Sequence, residues 1–110
     1  MNERREFRRC TLTQLLDMTL MRERDIGAAA IELSEGGVLC RSDAPVDLLS
    51  PVFLMLKVPT LGSDYILKTE GVVMHIRREG ESWVFGIAFG TLTETDHQVL
   101  HAYLESVCGP

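Results

Sequence analysis

The sequence predicts a mainly β fold: about six antiparallel strands closed, or nearly closed, into a barrel and followed by one C-terminal α-helix. Three observations lead there. Apolar residues alternate with a period of two through the middle of the chain, Gly- and Pro-containing turn signals interrupt that alternation, and only after residue 93 does the period change to three or four. A barrel hides its strand edges, and an amphipathic helix covers the apolar surface that remains.

The elements follow in order. Residues Cys10 to Met21 (CTLTQLLDMTLM) read equally as a helix by propensity or as a bulged strand by their Thr and Leu content. Ala28 to Leu33 reads as a strand with Ile31 and Leu33 facing inward. It ends at the turn signal Ser34-Glu35-Gly36-Gly37, and Val38-Leu39-Cys40 returns from it. Val52, Leu54, Leu56 and Val58 alternate with Phe53, Met55 and Lys57, and Pro59 and Gly62 then mark a loop. Tyr65 to Ile76 alternates again, with Val72, Met74 and Ile76 on one face. Arg78-Glu79-Gly80-Glu81 is a hairpin turn, and Trp83, Phe85, Ile87 and Phe89 share a face of the next strand. Val99, Leu100, Tyr103, Leu104 and Val107 trace one face of a helix over 93–107, capped by Thr93 or by Thr95 with Gln98.

The 110 residues fit one domain, 1–110, divided into an Arg-rich segment (1–9), a barrel (10–90) and the helix. The opening Met and short tail favour a stand-alone protein. Hydrophobic residues at 45% and charged residues at 25% are the balance of a globular protein with one modest core. A net charge of −5 argues against a binder of nucleic acid polymers, which needs a basic surface. The longest strongly apolar run, Val52 to Leu56, is too short for membrane insertion, and the charged N-terminus lacks a secretory signal. Cys10, Cys40 and Cys108 are odd in number, far apart and without a CxxC pair, so reduced thiols in a cytoplasmic protein are the simplest expectation.

Two motifs carry chemistry. In Arg4-Arg5-Glu6-Phe7-Arg8-Arg9, both Arg4/Arg8 and Arg5/Arg9 have RxxxR spacing. Planar, permanently charged guanidinium forks bind phosphate or the guanine O6/N7 edge bidentately and stack on purines. A local basic cluster on an acidic protein suits a small anion. By itself, such a cluster is also the ordinary appearance of a solvated terminus. The second motif is Glu32-Leu33-Ser34-Glu35-Gly36-Gly37. Alternation puts Glu32 and Ser34 together on the outer face, where a carboxylate and a hydroxyl can pair with the donors of a guanine edge. Glycine permits close backbone approach to a ligand, although a plain tight turn uses the same residues.

In this order, ahead of this strand and helix pattern, the motifs resemble the PilZ domain, a bacterial family of six-stranded antiparallel barrels that bind cyclic di-GMP. Arg5 and Arg9 match the family's RxxxR, with Arg4 an extra basic residue beside them. Ser34 and Gly37 match the Ser and final Gly of its [D/N]xSxxG. Gly86-Ile87-Ala88-Phe89 resembles its G-[IV]-x-F strand. The resemblance spans roughly residues 4 to 107. It implies a PilZ-type β-barrel with a C-terminal α-helix that acts as a receptor or adaptor, needs no cofactor and has cyclic di-GMP as its ligand. Arg4, Arg5, Arg9, Glu32, Ser34 and Gly37 are the implied ligand-binding residues. The arginines would grip phosphate and guanine, Glu32 and Ser34 a guanine edge, and Gly37 would give clearance. Residues 1–9 would be flexible and become ordered on binding, presenting a surface to a protein effector. Glu32 departs from the family's Asp or Asn by one methylene, and a lost polar contact there would weaken binding by roughly 1–3 kcal/mol.

The alternative is a PilZ-like interaction module without a nucleotide, in which Phe53 and Met55 supply an apolar patch for a partner or homodimer or are buried beneath the terminal helix. No phosphate loop, GxSxG elbow or paired-carboxylate motif points to an enzyme. His97, His101 and Glu105 recur at helical i, i+4 spacing, which suits a metal site as well as a solvated face; no metal is expected. His75 reads as a half-exposed strand residue.

Overall fold

The computed structural model describes residues 8–21 and 24–109. Six strands, β1 (Cys10–Met21), β2 (Ile26–Ser34), β3 (Gly37–Ser42), β4 (Pro51–Pro59), β5 (Asp64–Glu79) and β6 (Ser82–Phe89), precede one helix, α1 (Glu94–Cys108). Every neighbouring pair is antiparallel, and the order β1-β2-β3-β6-β5-β4 closes because β1 pairs with both β2 and β4. Closure decides the ambiguous first segment: with a ladder on each side, CTLTQLLDMTLM is a strand. Its register shifts between Thr11 and Leu16. The irregularity changes no face: Cys10 and Leu12 point inward before it, and Leu16, Met18 and Leu20 after it on the same alternation.

Alternation carries β4 as its sequence implies, with Val52, Leu54, Leu56 and Val58 buried. Two faces differ from expectation, each for the same reason. In β2, Ala30 pairs with Cys40 and Glu32 with Leu39, so Ile31 is an extra residue in a bulge; Ala30 and Leu33, not Ile31 and Leu33, enter the core. In β5, Val73 pairs with Ile87 and His75 with Gly86, leaving Met74 extra. Val72 and Met74 therefore face out, while Ile76 packs on the core. On its other edge the Val73 backbone bonds to the loop before β4, with Leu49 N to Val73 O at 2.7 Å and Val73 N to Ser50 O at 3.1 Å.

The helix starts at Thr93, whose hydroxyl accepts from Asp96 N while the Asp96 carboxylate accepts from Thr93 N, a capping box that excludes the Thr95/Gln98 alternative. Asp96 is buried and also accepts a 2.6 Å bond from the Tyr65 hydroxyl at the start of β5. That bond raises the Tyr65 pKa by holding its proton against a carboxylate. Leu100 and Tyr103 join the barrel core, and the far end of α1 reaches the start of β1. Phe53 and Met55 are half-buried on the outer face of β4, outside the cluster that packs on the core.

At that far end the expectation of three reduced thiols fails. Cys10 and Cys108 form a disulfide with a Cα–Cα distance of 6.1 Å, and the buried Cys40 is the free cysteine among the described residues. The return of the helix across the barrel brings together two residues separated by 98 positions, which no local spacing reveals. Burial pushes the Cys40 thiol up to about 12.

Candidate functional site

The start of β1, the β2–β3 turn and the end of α1 meet at one edge of the barrel. Thr11 pairs with Glu32 and Cys10 with Leu33, so the residue entering β1, Arg9, is delivered next to Glu32. The guanidinium lies 3.6 Å from the Glu32 carboxylate, with the Arg9 side chain 53% exposed and that of Glu32 25% exposed. This is a long, wet ion pair, worth at most about 1 kcal/mol and easily exchanged for a better partner.

Two residues on, Ser34 pairs with Gly37 across the turn. The Ser34 hydroxyl accepts from Gly36 N at 3.1 Å and sits 3.4 Å from Gly37 O, so it shapes the turn that displays this motif. Gly37 also has a reason of its own. A Cβ there would lie 2.5 Å from Ile87 O and 3.5 Å from the Ala88 Cα, both backbone atoms of β6. The missing side chain therefore admits the neighbouring strand, a packing role that its position in the motif conceals. The same holds farther along β6, where the His75 ring lies directly over Gly86.

Of the six residues singled out in the sequence, the structure brings Arg9, Glu32, Ser34 and Gly37 to this edge, while Arg4 and Arg5 lie outside the described residues. The sequence names Arg8, Glu35, His101 and Glu105 without showing that they meet at this edge. Arg8 turns away from Arg9 and donates to the carbonyls of Cys108 and Gly109 at 3.1 and 2.7 Å. His101 bonds Glu35 of the β2–β3 turn at 2.9 Å through Nδ1 and approaches Glu105 at 3.4 Å through Nε2. The bond to Glu35, then the charge of Glu105, raises the His101 pKa above its ordinary 6.5. With both ring nitrogens engaged, His101 is a tie between helix and turn. No group of three or more His, Cys, Asp and Glu among the described residues is arranged to hold a metal ion. Arg8, Cys10, Glu35, His101 and Glu105 line a cleft of about 230 Å³. The i, i+4 spacing of His101 and Glu105 was the one signal for this cluster in the sequence; its partner Glu35 lies 66 residues away.

Chemically, the edge offers a loosely held cation beside a half-buried carboxylate, next to the Ser34–Gly37 turn. Such a pair can pass the guanidinium to a phosphate while the carboxylate accepts from a purine edge. Among the described residues no helix is long and apolar enough to cross a membrane.

Comparison with known proteins gives one family and one fold. The model of the PilZ domain matches residues 3–106. No curated protein matches the sequence. Among solved structures, the Bacillus subtilis inhibitor of motility MotI/DgrA superposes with a TM-score of 0.81 at 21% identity, covering 93% of this chain and 50% of that one. The PilZ domain of Escherichia coli YcgR, solved with c-di-GMP, gives 0.75 at 13% identity over 96% of this chain and 92% of that one. The longer Escherichia coli YcgR complex with c-di-GMP gives 0.76 at 12%, over 94% of this chain and 46% of that one. The chain thus spans about half the length of MotI/DgrA, and at these identities the likeness is one of fold.

Proposed function

This chain belongs to the PilZ domain family, and from that membership we propose that it is a receptor for cyclic di-GMP that signals to a protein effector. The observation that carries the reading is the placement of Arg9 against Glu32, with the Ser34–Gly37 turn two residues along the same strand. In this reading the phosphate of the ligand takes the Arg9 guanidinium. Glu32, released from Arg9, accepts from the guanine edge, and Ser34 keeps the turn in shape. Arg4 and Arg5 close over the ligand from the N-terminal side. Ordering of that arginine segment creates the surface the effector reads. Its action is binding rather than catalysis, in the cytoplasm.

Isothermal titration of cyclic di-GMP, with GTP as control, tests this. Saturable binding at micromolar or tighter affinity is expected for cyclic di-GMP alone. Arg9→Ala is expected to abolish it while moving the thermal midpoint of the free protein by less than about 4 °C, because an exposed ion pair contributes at most about 1 kcal/mol. Unchanged affinity in Arg9→Ala would sink the assignment.

One observation favours a second reading, an interaction module that works without the nucleotide. The Leu49 turn, at φ 62 and hydrogen-bonded to Val73, brings an exposed leucine alongside the exposed Val72 and Met74. An exposed apolar group of this kind is what a protein contact needs. Absence of heat at several temperatures would select this reading.

A further inference from the structure

Resting on the receptor reading, we propose that Cys10 and Cys108 form a thiol–disulfide modification site that sets how tightly the neighbouring site holds its ligand. Three observations converge. The bond ties the residue directly after Arg9 to the last residue of α1. Arg8 reinforces it by donating to the Cys108 and Gly109 carbonyls. The last turn of α1 contains no basic residue, so the cation that satisfies this helix C-terminus comes from the opposite end of the sequence. The covalent bond and the Arg8 cap therefore hold one junction, and Arg9 leaves it one residue away.

The chemistry is available at this pair and closed at Cys40. Cys10 is 3% exposed and lines the cleft described above, whereas Cys108 is half-buried, so an attacking thiolate meets less cover at residue 108. Cys40 is fully buried. Reduction by two equivalents of a low-molecular-weight thiol proceeds by exchange. The first thiolate bonds Cys108 Sγ and expels the Cys10 thiolate, and the second releases Cys108 as the small-molecule disulfide forms. Two electrons pass to the protein, and each cysteine takes up one proton. Oxidation by a small-molecule disulfide reverses every step.

Once the bond is open, the C-terminal turn is held by the Arg8 bonds and by Gly109 N to Glu105 O, all on exposed groups. Arg8 then keeps its bonds to a turn that is no longer fixed covalently, and binding must order more of the chain around Arg9. Preorganisation works the other way in the disulfide form, which binds cyclic di-GMP about 3- to 10-fold more tightly.

The test uses the full chain equilibrated with oxidised glutathione or with dithiothreitol, alongside Cys108→Ser. Thiol titration in denaturant is expected to find one thiol, Cys40, in the oxidised form and three in the reduced form. Calorimetry then compares cyclic di-GMP affinities, and amide exchange is followed over residues 8–12 and 104–109. The expected result is tighter binding and slower exchange in both segments for the oxidised form, with Cys108→Ser behaving as the reduced protein whatever the redox buffer. Three thiols in glutathione disulfide, or equal affinities in the two forms, would overturn the proposal. If neither form binds, the receptor reading falls by itself. The exchange data then decide this junction: redox-independent protection overturns it, and redox-dependent protection sustains it.

Discussion

Gly37→Ala separates the two roles available to this residue. Its φ lies outside the left-handed region, so alanine meets no backbone strain. What it meets is β6: the new Cβ would stand 2.5 Å from Ile87 O, about 0.9 Å short of the 3.4 Å at which ordinary contact begins. Because the opposing atoms are backbone in a closed ladder, β3 and β6 must separate locally, an overpacking cost of about 1–3 kcal/mol. Against this stands a gain of about 0.4–1 kcal/mol from the narrower unfolded ensemble of alanine. A contact this short to backbone takes the upper half of that overpacking cost, about 2–3 kcal/mol, so the net loss is about 1–2.6 kcal/mol. With an unfolding entropy of about 2.1 cal/mol/K per residue, one kcal/mol moves the midpoint of a chain this long by about 4 °C, so a fall of about 4–11 °C is expected. Gly27→Ala supplies the opposite sign. Gly27 lies inside β2, and a Cβ there meets nothing within 4 Å, so a rise of about 2–4 °C is expected. Thermal unfolding followed by circular dichroism measures both. An unchanged midpoint in Gly37→Ala, with weakened cyclic di-GMP binding, would refute the packing argument and place the missing Cβ at the ligand.

Two further predictions concern the helix. Thr93→Ala removes the cap from Asp96 N and is expected to lower the midpoint by about 4 °C, since such a cap is worth about 1 kcal/mol; a shift below 1 °C in the same melt would contradict it. His101 has its folded pKa raised above 6.5 by Glu35 and then Glu105, so the folded state binds the extra proton. The stability it adds is complete below pH 6.5 and is lost as pH rises through the folded pKa. Denaturant midpoints between pH 5.5 and 8.5 are expected to carry this slope in the native protein and to lose that component in His101→Gln; identical slopes would remove the tie between α1 and the β2–β3 turn.

What the sequence revealed follows from the range of the interactions involved. The β4 alternation and the hairpin glycines are local, and so are Val99, Leu100, Tyr103 and Leu104 of α1; these were legible, whereas Val107, expected on the same face, lies exposed beyond the barrel core. Bulges at Ile31 and Met74 were not, because an extra residue exists only relative to a partner strand and flips every face beyond it. Cys10 to Met21 stayed ambiguous for the same reason, since only ladders from β2 and β4 make it a strand. Thr93 and Thr95 both offered a capping hydroxyl, and the deciding partner was Asp96, held from the barrel by Tyr65. At the site, Arg9, Glu32, Ser34 and Gly37 were legible as a motif. The disulfide, the Arg8 cap and the Glu35–His101 bond were hidden, because each depends on α1 returning to the start of the chain.

The strand order has a kinetic consequence. Within β1-β2-β3 and within β4-β5-β6 every pairing joins consecutive strands, so each half is a three-stranded meander built from short-range hairpins. The halves meet along only two seams, β1 with β4 and β3 with β6, both between strands distant in sequence. Loop-closure entropy falls on those seams, which carry the strand pairings that weigh most against fast folding. Arg9, Glu32, Ser34 and Gly37 all belong to the first meander or its entrance. The strand pairings that position Arg9, Glu32 and Ser34 lie within the first meander, while the close approach at Gly37 is made across a seam, to β6 of the second.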